Sequence, residues 1–202
     1  ILVTGGNGIV GSYIDVGVKF SHRDLDVTNE GEVKKIIYRE KPSAIIHLAA
    51  ITNMEQCEKN PNLAHRVNII GSYNIALVAH KIGAKVIYVS TNAVFDGKKD
   101  GAYLPTDRPK PINIYGHSKY DGEKVVLDMN SKNLIVRTSW VFGGGKNGDK
   151  KFVGKIMPKL LANDELSAVN DVYGTPTYAR DLASFFLKLA TIKFCRIFLI
   201  IQ

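Results

Sequence analysis

The chain has 202 residues, of which 45% are hydrophobic and 23% are charged, and its formal net charge is +8. This length suits one large domain with a substantial core, and the composition excludes a disordered chain. No apolar stretch approaches the roughly 18 residues that a membrane-spanning helix needs, so we expect no membrane partner. The lysines are scattered rather than aligned on one helix, which argues against a nucleic-acid-binding protein.

The cysteine content points to a reducing compartment. The chain has two cysteines, Cys57 and Cys195, which are too few and too far apart for a disulfide framework or a zinc site of the CxxC type. No secretory signal is recognisable. We therefore expect a cytoplasmic protein without a bound metal. The sequence does not begin with Met, so we also expect that a few leading residues are missing.

Short β-branched runs alternate with amphipathic stretches along the chain. This alternation is typical of an α/β protein with a doubly wound parallel sheet that has helices on both faces. The predicted strands are residues 1–4, 16–19, 44–48, 85–90, 133–138 and 196–200. The predicted helices are residues 9–15, 30–40, 60–82, 114–129, 151–161 and 178–190. Asn60 and Pro61 form a typical helix start, and Gly83 marks the end of that helix.

The connection between the first two predicted strands is unusually short. Its helix, residues 9–15, would span roughly 10 Å at 1.5 Å per residue, whereas a strand of five or six residues spans roughly 17–20 Å. Either this helix is abnormally short, or residues are absent between Tyr13 and Asp24. We favour the absence of residues.

A glycine-rich turn follows the first predicted strand, with Gly5, Gly8 and Gly11 spaced as GxxGxxG. Gly5 and Gly8 would let the backbone approach a pyrophosphate at the start of a helix, and Gly11 would let that helix pack close to the sheet. The alternative is a purely structural turn. Asp26 would lie at a later strand end, where it either binds an adenine amino group or caps the helix at residues 30–40.

A phenol and an ammonium lie four residues apart, at Tyr115 and Lys119, on one face of a predicted helix. Hydride reduction of a carbonyl leaves an alkoxide that needs a proton, and a phenol with its usual pKa of about 10 is a poor acid at neutral pH. A nearby ammonium would lower the pKa of Tyr115. The preceding strand delivers Thr91, whose hydroxyl would hold the substrate oxygen, while Lys119 would also reach a nicotinamide ribose. The alternative is a packed surface tyrosine beside a solvated lysine.

Six motifs occur in one order along the chain: TGGNGIVG, HLAA, VNIIGSYNIA, YVSTNAVFDG, YGHSK and RTSWVFG. Together they resemble the extended short-chain dehydrogenase/reductase superfamily and, within it, the dTDP-4-dehydrorhamnose reductase family. The resemblance covers nearly the whole chain. It implies a Rossmann-like dinucleotide-binding domain at residues 1–142 and a reduced substrate-binding part at residues 143–202, interleaved with the last sheet elements. It also implies NADP(H) or NAD(H) as the cofactor, a dTDP-sugar as the substrate, and a homodimer as one option for the assembly.

The resemblance also implies a set of site residues. The implied catalytic residues are Thr91, Tyr115 and Lys119. The residues implied for the cofactor are Gly5, Asn7, Gly8, Ile9, Val10, Asp26, Val27, Leu48, Ala49, Ala50, Asn68, Ser90, Tyr115 and Lys119. Those implied for the substrate are Thr91, Asn92, Val94, Trp140, Phe152 and Thr175. Asn68 would support Lys119 through water, unless it is simply a buried polar residue of its helix, and Trp140 would stack on a sugar or base, unless it serves packing.

Charged residues and one neutral amide refine this picture. Arg137 or neighbouring lysines would meet the substrate diphosphate, and Lys19 or Arg23 near the second strand end favours NADP. Asn92 stands where these reductases usually carry aspartate, which weakens the rhamnose assignment but not the oxidoreductase chemistry. Asn92 and Ala93 also argue against a 4,6-dehydratase, because elimination of water needs an acid and a base there.

The implied reaction is reduction of the 4-keto group of a dTDP-6-deoxy-4-keto-hexose by NADPH or NADH, with Tyr115 protonating the product oxygen. Two alternatives stay open. The first is a nucleotide-sugar epimerase with tightly bound NAD. The second is a non-catalytic protein similar to the regulatory subunit of methionine adenosyltransferase. The chain stops earlier than members of the family normally do, which leaves little to cover the sugar.

Overall fold

The computed structural model describes residues 1–144, 149, 151–170, 172, 174–192 and 197–200. Its main sheet has the strands Leu2–Thr4 (β1), Val18–Phe20 (β2), Ala44–His47 (β3), Lys85–Thr91 (β4), Leu134–Thr138 (β5) and Ile197–Ile200 (β8). These strands pair in parallel in the order β2-β1-β3-β4-β5-β8. A separate parallel pair joins Val141–Phe142 (β6) to Thr177–Tyr178 (β7). Cys195 and Arg196, which the sequence analysis included, lie outside the described residues.

Seven α-helices are described in this part of the chain: Glu30–Glu40 (α1), Met54–Lys59 (α2), Pro61–His65 (α3), Ser72–Lys81 (α4), Ile114–Met129 (α5), Phe152–Leu161 (α6) and Ala179–Thr191 (α7). The predicted helices at residues 30–40 and 114–129 are confirmed to the residue, and the last two agree within one residue. Asn29 caps α1 by accepting from the Gly31 and Glu32 N–H groups, and Asn113 caps α5 by accepting from Gly116 N–H.

Two hydrophobic cores lie on opposite faces of the sheet. Alternate strand residues point to opposite faces, so neighbours such as Leu2 and Val3 enter different cores. Helices α1, α4 and α5 cover the first core, whereas α7 covers the second with Leu182 and Phe186. The doubly wound α/β architecture is thus confirmed. Helix α7 packs against the main sheet and β8 pairs with β5, although both elements follow residue 142.

The connection from β1 to β2 contains no α-helix. The structure has one turn of 3-10 helix, Gly11–Tyr13, where we expected an α-helix at residues 9–15. The short connection suffices because β1 and β2 have three residues each, about 10 Å of strand at 3.3 Å per residue. The helix dipole that we expected behind the glycine turn is therefore absent from this connection.

The predicted helix at residues 60–82 is interrupted by a π-helical turn. Asn60 caps it as predicted, with its side chain accepting from Leu63 N–H, but the segment Arg66–Gly71 has π-helical hydrogen bonding. The wider turn places Asn68 and Gly71 in buried positions. Such turns occur frequently at functional sites, and this one brings Asn68 within hydrogen-bond distance of Ser118 on α5.

Candidate active site

The carboxyl ends of β1 and β3 form the switch point of the sheet, because the chain leaves β1 toward β2 on one side and returns to β3 on the other. Ligands of doubly wound proteins bind outside the sheet at this place. The glycine turn begins there. Gly5 has a φ of +68°, which a residue with a Cβ rarely adopts, and Gly8 N–H donates to the Gly5 carbonyl at 2.9 Å.

Close packing explains two of the three glycines. A Cβ added to Gly5 would lie 2.8 Å from the Ala49 nitrogen, and one added to Gly11 would lie 2.6 Å from the Gly6 carbonyl oxygen. A Cβ on Gly8 would meet only the Gly5 carbonyl oxygen, at 3.2 Å. The backbone around Gly8 is therefore accessible from the crevice, as an approaching diphosphate requires.

The segment after β3, residues 48–51, lies against the glycine turn and is held at both ends. Ala49 N–H donates to Thr4 Oγ1 at 3.2 Å, and Ile51 N–H donates to Asn68 Oδ1 at 2.8 Å. We call residues 48–51 the cofactor segment. The predicted cofactor residues along the two sides of the crevice are exposed or partly buried: Asn7, Ile9, Val10, Leu48, Ala49 and Ala50.

The three predicted catalytic residues come from β4 and α5. Thr91 ends β4, and Tyr115 and Lys119 lie on the first turns of α5. All three are buried, and the Thr91 hydroxyl lies close enough to the Tyr115 phenol to influence its pKa. The Tyr115 ring packs against Cys57 of α2 and Ala64 of α3. The structure thus brings the threonine and the phenol into contact.

The electrostatics of this group differ from our expectation. Burial raises the pKa of Tyr115 to about 12, although the neighbouring Thr91 hydroxyl opposes this shift. Burial also lowers the pKa of Lys119 to about 7, while the Glu123 carboxylate acts in the opposite direction. We expected Lys119 to lower the pKa of Tyr115. Instead its Nζ lies 4.0 Å from the centre of the Tyr88 ring, and the loss of water around the phenol dominates.

Asn68 anchors the cofactor segment directly. Its Nδ2 donates to the Ile51 carbonyl at 3.0 Å and to Ser118 Oγ at 2.9 Å. Ser118 Oγ in turn donates to the Tyr115 carbonyl at 2.8 Å. The protein hydrogen bonds of the Asn68 side chain therefore link the cofactor segment to α5, and none of those described here reaches Lys119.

Two predicted residues next to Thr91 differ in accessibility. The Thr91 hydroxyl donates to Asn92 Oδ1 at 3.3 Å, so the amide lies beside the threonine oxygen. Val94 is fully buried in the 3-10 turn Asn92–Val94. The predicted substrate contact of Val94 is thus not available to its side chain, because the turn points that side chain into the protein.

Asp26 and Val27 follow the second strand and precede α1. Asp26 Oδ1 accepts from Thr28 N–H at 2.9 Å, while Asn29 caps α1. The alternative in which Asp26 caps α1 is therefore wrong, because the cap position falls three residues later. Val27 is buried in the first core, and its carbonyl accepts from Asn74 Nδ2 at 3.0 Å.

The predicted substrate residues after β5 lie around an aromatic pair. The ring centroids of Trp140 and Phe152 are 5.4 Å apart, and both side chains are exposed. Lys151 Nζ donates to Thr52 Oγ1 at 3.1 Å, which brings the start of α6 next to the cofactor segment. Thr175 is partly buried.

Arg137 is not available for a substrate diphosphate. Its guanidinium and the Glu123 carboxylate are 2% and 1% exposed and form a bidentate pair, with N–O distances of 2.9 and 2.7 Å. Its remaining nitrogen donates to the Pro105 carbonyl. The expectation that Arg137 meets the substrate is therefore wrong, because its guanidinium is already paired with the buried Glu123 carboxylate.

Three hydroxyls that sequence reasoning did not combine lie near the carboxyl ends of β4 and β5. Within the part of the chain that is described, Ser90 Oγ, Thr138 Oγ1 and Ser139 Oγ are buried without a hydrogen-bond partner. Unpaired buried hydroxyls are costly. Ser90 was predicted to bind the cofactor, and a polar ligand such as a carboxamide would satisfy hydroxyls of this kind. The residues present thus fit a nicotinamide dinucleotide in this crevice.

Sequence reasoning also missed α2, which covers Tyr115. Asn53 accepts from Gln56 N–H at 2.9 Å and so caps α2. An asparagine followed three residues later by glutamine is a signal for a helix start, and it could have revealed this element. Among the described residues, no cluster of His, Cys, Asp or Glu is suited to a metal ion, and none of the helices there has the length and apolarity to span a bilayer.

Comparisons with known proteins agree with this fold. The family model described as the RmlD substrate binding domain matches residues 1–198. A dTDP-4-dehydrorhamnose reductase from Aggregatibacter actinomycetemcomitans is 38% identical in an alignment of 200 residues that covers 94% of this chain and 67% of that protein. The spore coat polysaccharide biosynthesis protein SpsK of Bacillus subtilis is 33% identical in an alignment of 197 residues that covers 94% of this chain and 69% of SpsK.

Solved structures show the same similarity. The crystal structure of dTDP-4-dehydrorhamnose reductase from Bacillus anthracis in complex with NADP matches with a TM-score of 0.92 and 37% identity, over 100% of this chain and 74% of that chain. A UDP-glucose 4-epimerase from Thermotoga maritima shares the fold with a TM-score of 0.83 at 22% identity, over 100% of this chain and 76% of that chain. The chain thus spans two thirds to three quarters of the length of these relatives.

Proposed function

This chain belongs to the RmlD substrate binding domain family, the family of the dTDP-4-dehydrorhamnose reductases, and from this premise we propose that it reduces the 4-keto group of dTDP-4-dehydrorhamnose with NADPH. The observation that carries the proposal is that the buried Thr91 hydroxyl lies beside the buried Tyr115 phenol, at the carboxyl end of the strand that neighbours the switch point. The 37% identity to a reductase in complex with NADP supports the choice of cofactor.

The proposed chemistry assigns one task to each catalytic side chain. NADPH, when bound, supplies the hydride. Thr91 holds the substrate carbonyl oxygen by a hydrogen bond. Tyr115 donates its phenolic proton to that oxygen as negative charge develops on it. Because burial raises the pKa of Tyr115 to about 12, the phenol stays protonated at neutral pH, as an acid must. Lys119, in the ammonium form that a pKa of about 7 leaves partly populated at neutral pH, stabilises the negative charge that remains on the phenolate after the proton leaves.

The proposed cofactor site uses the glycine turn and the cofactor segment. The backbone around Gly8 would hold the diphosphate, and Ser90 would meet the nicotinamide end. Lys19 and Arg23 would favour NADPH over NADH, because a basic group there can bind the additional phosphate. The Lys19 amine donates to the Gly11 carbonyl at 3.4 Å, which keeps it beside the turn. For the substrate, we propose Asn92 beside Thr91 and the pair of Trp140 and Phe152 as contacts for the sugar nucleotide.

The test is oxidation of NADPH and NADH by the purified protein with a dTDP-4-keto-6-deoxy sugar. We expect turnover with dTDP-4-dehydrorhamnose and faster turnover with NADPH. Tyr115→Phe should lose at least a hundredfold in kcat, as expected for removal of a general acid, and should still bind NADPH. Tyr120→Phe, on the same helix, is the matched control and should keep its activity. Equal turnover by Tyr115→Phe and the wild type would contradict the proposal.

The same preparation separates the two alternatives. An epimerase would purify with NAD and would interconvert nucleotide sugars without added cofactor. A regulatory subunit would co-purify with a synthetase and show no reductase activity. We further propose that the protein works in the cytoplasm and that it forms a homodimer. Analytical ultracentrifugation of the purified chain tests the homodimer.

A further inference from the structure

His47 occupies an unusual position behind the cofactor segment. It ends β3, is 1% exposed, and lies between Thr4 of β1 and Ser72 of α4. Its Nδ1 is 2.7 Å from Thr4 Oγ1, and its Nε2 is 3.1 Å from Ser72 Oγ. The proposed reaction does not use this buried imidazole.

The direction of each hydrogen bond follows from the carbonyl at one end. Ser72 Oγ donates its only proton to the Asn68 carbonyl at 2.7 Å, since a carbonyl can only accept. Ser72 must therefore accept from His47, so Nε2 carries the imidazole proton. Nδ1 is then an acceptor, and Thr4 donates to it. Thr4 Oγ1 in turn accepts from Ala49 N–H at 3.2 Å.

The result is one continuous run of hydrogen bonds, in which the Ala49 N–H, the Thr4 hydroxyl, the His47 imidazole and the Ser72 hydroxyl each donate to the next group and the Asn68 carbonyl is the final acceptor. A neutral imidazole fits this run, because burial and the nearby Lys119 ammonium lower the pKa of His47 to about 3. Tyr88 faces the same ring, with its centroid 5.7 Å away. An imidazolium would leave Thr4 with two donors and no acceptor for its own proton.

This run of hydrogen bonds ends at the Asn68 carbonyl, and the Asn68 side chain is the second anchor of the cofactor segment. The Asn68 side chain holds both the N–H and the carbonyl of Ile51 and also contacts Ser118 of α5. His47 therefore joins the anchor at Ala49 to the anchor at Ile51. The Ala49 nitrogen would also lie 2.8 Å from a Cβ added to Gly5 of the glycine turn.

We propose that His47 is a positioning residue for the cofactor: as the Nε2–H tautomer it fixes Thr4, and through Thr4 it fixes the Ala49 amide beside the glycine turn. The inference rests on the proposed function only in taking NADP(H) as the bound cofactor. It assigns His47 no contact with the substrate.

Two conservative variants test the two sides of the ring separately. In His47→Asn, the amide oxygen can replace Nδ1 and accept from Thr4. In His47→Gln, the amide nitrogen can replace Nε2 and donate to Ser72, while the acceptor for Thr4 is lost. His47→Leu removes both bonds, and His80→Gln, at an exposed position of α4, is the control. If the run of hydrogen bonds holds the Ala49 amide in place, loss of the bond between Thr4 and His47 should weaken cofactor binding.

We expect the Kd for NADPH to rise about tenfold in His47→Gln and His47→Leu, as the loss of one buried hydrogen bond implies, and to rise less than about threefold in His47→Asn. Amide hydrogen exchange at Ala49 should accelerate in the same two variants. At saturating NADPH, kcat should stay within about threefold of the wild type, because Tyr115 and Thr91 are untouched. The ¹⁵N spectrum of the wild-type imidazole should show the Nε2–H tautomer from pH 8 to pH 5.

Three results would overturn the inference: an Nδ1–H tautomer, unchanged exchange at Ala49 in His47→Leu, or equal NADPH affinities of the Asn and Gln variants. The free energy of unfolding of each variant distinguishes this local effect from a general loss of structure. The order of these free energies should differ from the order of the Kd values. If the protein binds NADPH with this pattern but reduces no dTDP-4-keto sugar, the proposed function fails and the role of His47 stands. If the wild type binds no NADP(H), the role of His47 fails as well.

Discussion

The ammonium of Lys119 lies 4.0 Å from the centre of the Tyr88 ring, so a buried charge rests on an aromatic face. The Tyr88 hydroxyl donates to the Lys119 carbonyl at 3.3 Å, which ties the ring to the backbone of α5. Glu123, one turn further along α5, also favours the charged form of the amine. Cation–π attraction at desolvated sites contributes about 2 kcal/mol. Tyr88 therefore helps Lys119 to stay protonated despite its burial.

Replacing the Tyr88 ring should shift the pH dependence of the reaction. In Tyr88→Leu the aromatic face is lost, so the pKa of Lys119 should fall further and the decline of kcat/KM at high pH should begin roughly one pH unit lower. Tyr88→Phe keeps the face and should retain the wild-type profile. The measurement is kcat/KM from pH 5 to pH 9. Superimposable profiles for the Leu and Phe variants would show that the ring does not support the charge.

Removal of Lys119 should stabilise the protein in a pH-dependent manner. Its folded pKa of about 7 lies below the ordinary value of 10.5, so between these values the unfolded chain binds more protons and stability rises with pH. The penalty is complete below pH 7. Lys119→Met should therefore raise the free energy of unfolding at pH 6 by up to about 5 kcal/mol, and the gain should shrink toward pH 10.

Urea denaturation of Lys119→Met at several pH values measures this gain. Lys124→Met, on the exposed side of α5, is the matched control and should show no comparable gain at pH 6. A gain in Lys119→Met that is the same at pH 6 and pH 10 would mean that better apolar packing, rather than removal of the charge, is responsible.

Breaking the buried pair of Arg137 and Glu123 should destabilise the fold. Glu123→Gln leaves the guanidinium of Arg137 buried without its carboxylate, which costs roughly 3–5 kcal/mol. The exposed pair of Glu55 and Lys59, at 2.5 Å, provides the comparison, because Glu55→Gln should cost less than about 1 kcal/mol. Chemical denaturation at pH 7 measures both. Similar losses for the two variants would contradict the assignment.

Gly122 should tolerate no side chain. A Cβ there would clash with the Tyr88 hydroxyl and would lie 2.7 Å from the Asn68 carbonyl oxygen. Gly122→Ala should therefore separate α5 from β4, lower stability by roughly 1–3 kcal/mol, and reduce activity. Gly31→Ala in α1 is the control, since its nearest neighbour is the capping oxygen of Asn29 at 3.3 Å. It should change stability by less than about 1 kcal/mol in either direction. Thermal melts and initial rates of both variants provide the test.

Local patterns predicted the sheet and most of its helices. The β-branched runs at β3, β4 and β5 and the helix cap Asn60 act over a few residues, so the sequence shows them directly. The π-helical turn at Arg66–Gly71 was not predictable in this way, because its hydrogen bonding depends on how Asn68 and Gly71 pack. The family resemblance drawn from the motifs is confirmed by the family model.

The candidate site was predictable in its residue types but not in its electrostatics. The spacing of Tyr115 and Lys119 indicated a helical face, yet it carried no information on burial, which sets the pKa of both groups. The partner of Arg137 was also hidden, since Glu123 lies on another element and meets it only in the folded chain. Val94 was assigned to the substrate from its position in a motif, although its turn buries it.

The single turn between β1 and β2 leaves Val16 and Val18 48% and 38% exposed at the edge of the sheet. These exposed valines form an apolar surface that a longer connection between β1 and β2 could cover. An amphipathic helix inserted between Tyr13 and Val16 could cover them without altering the pairing of β1 with β2. The turn that leads into this connection is closely packed, since a Cβ added to Gly11 would lie 2.6 Å from the Gly6 carbonyl oxygen. Added residues would therefore fit after Tyr13 rather than within the glycine turn.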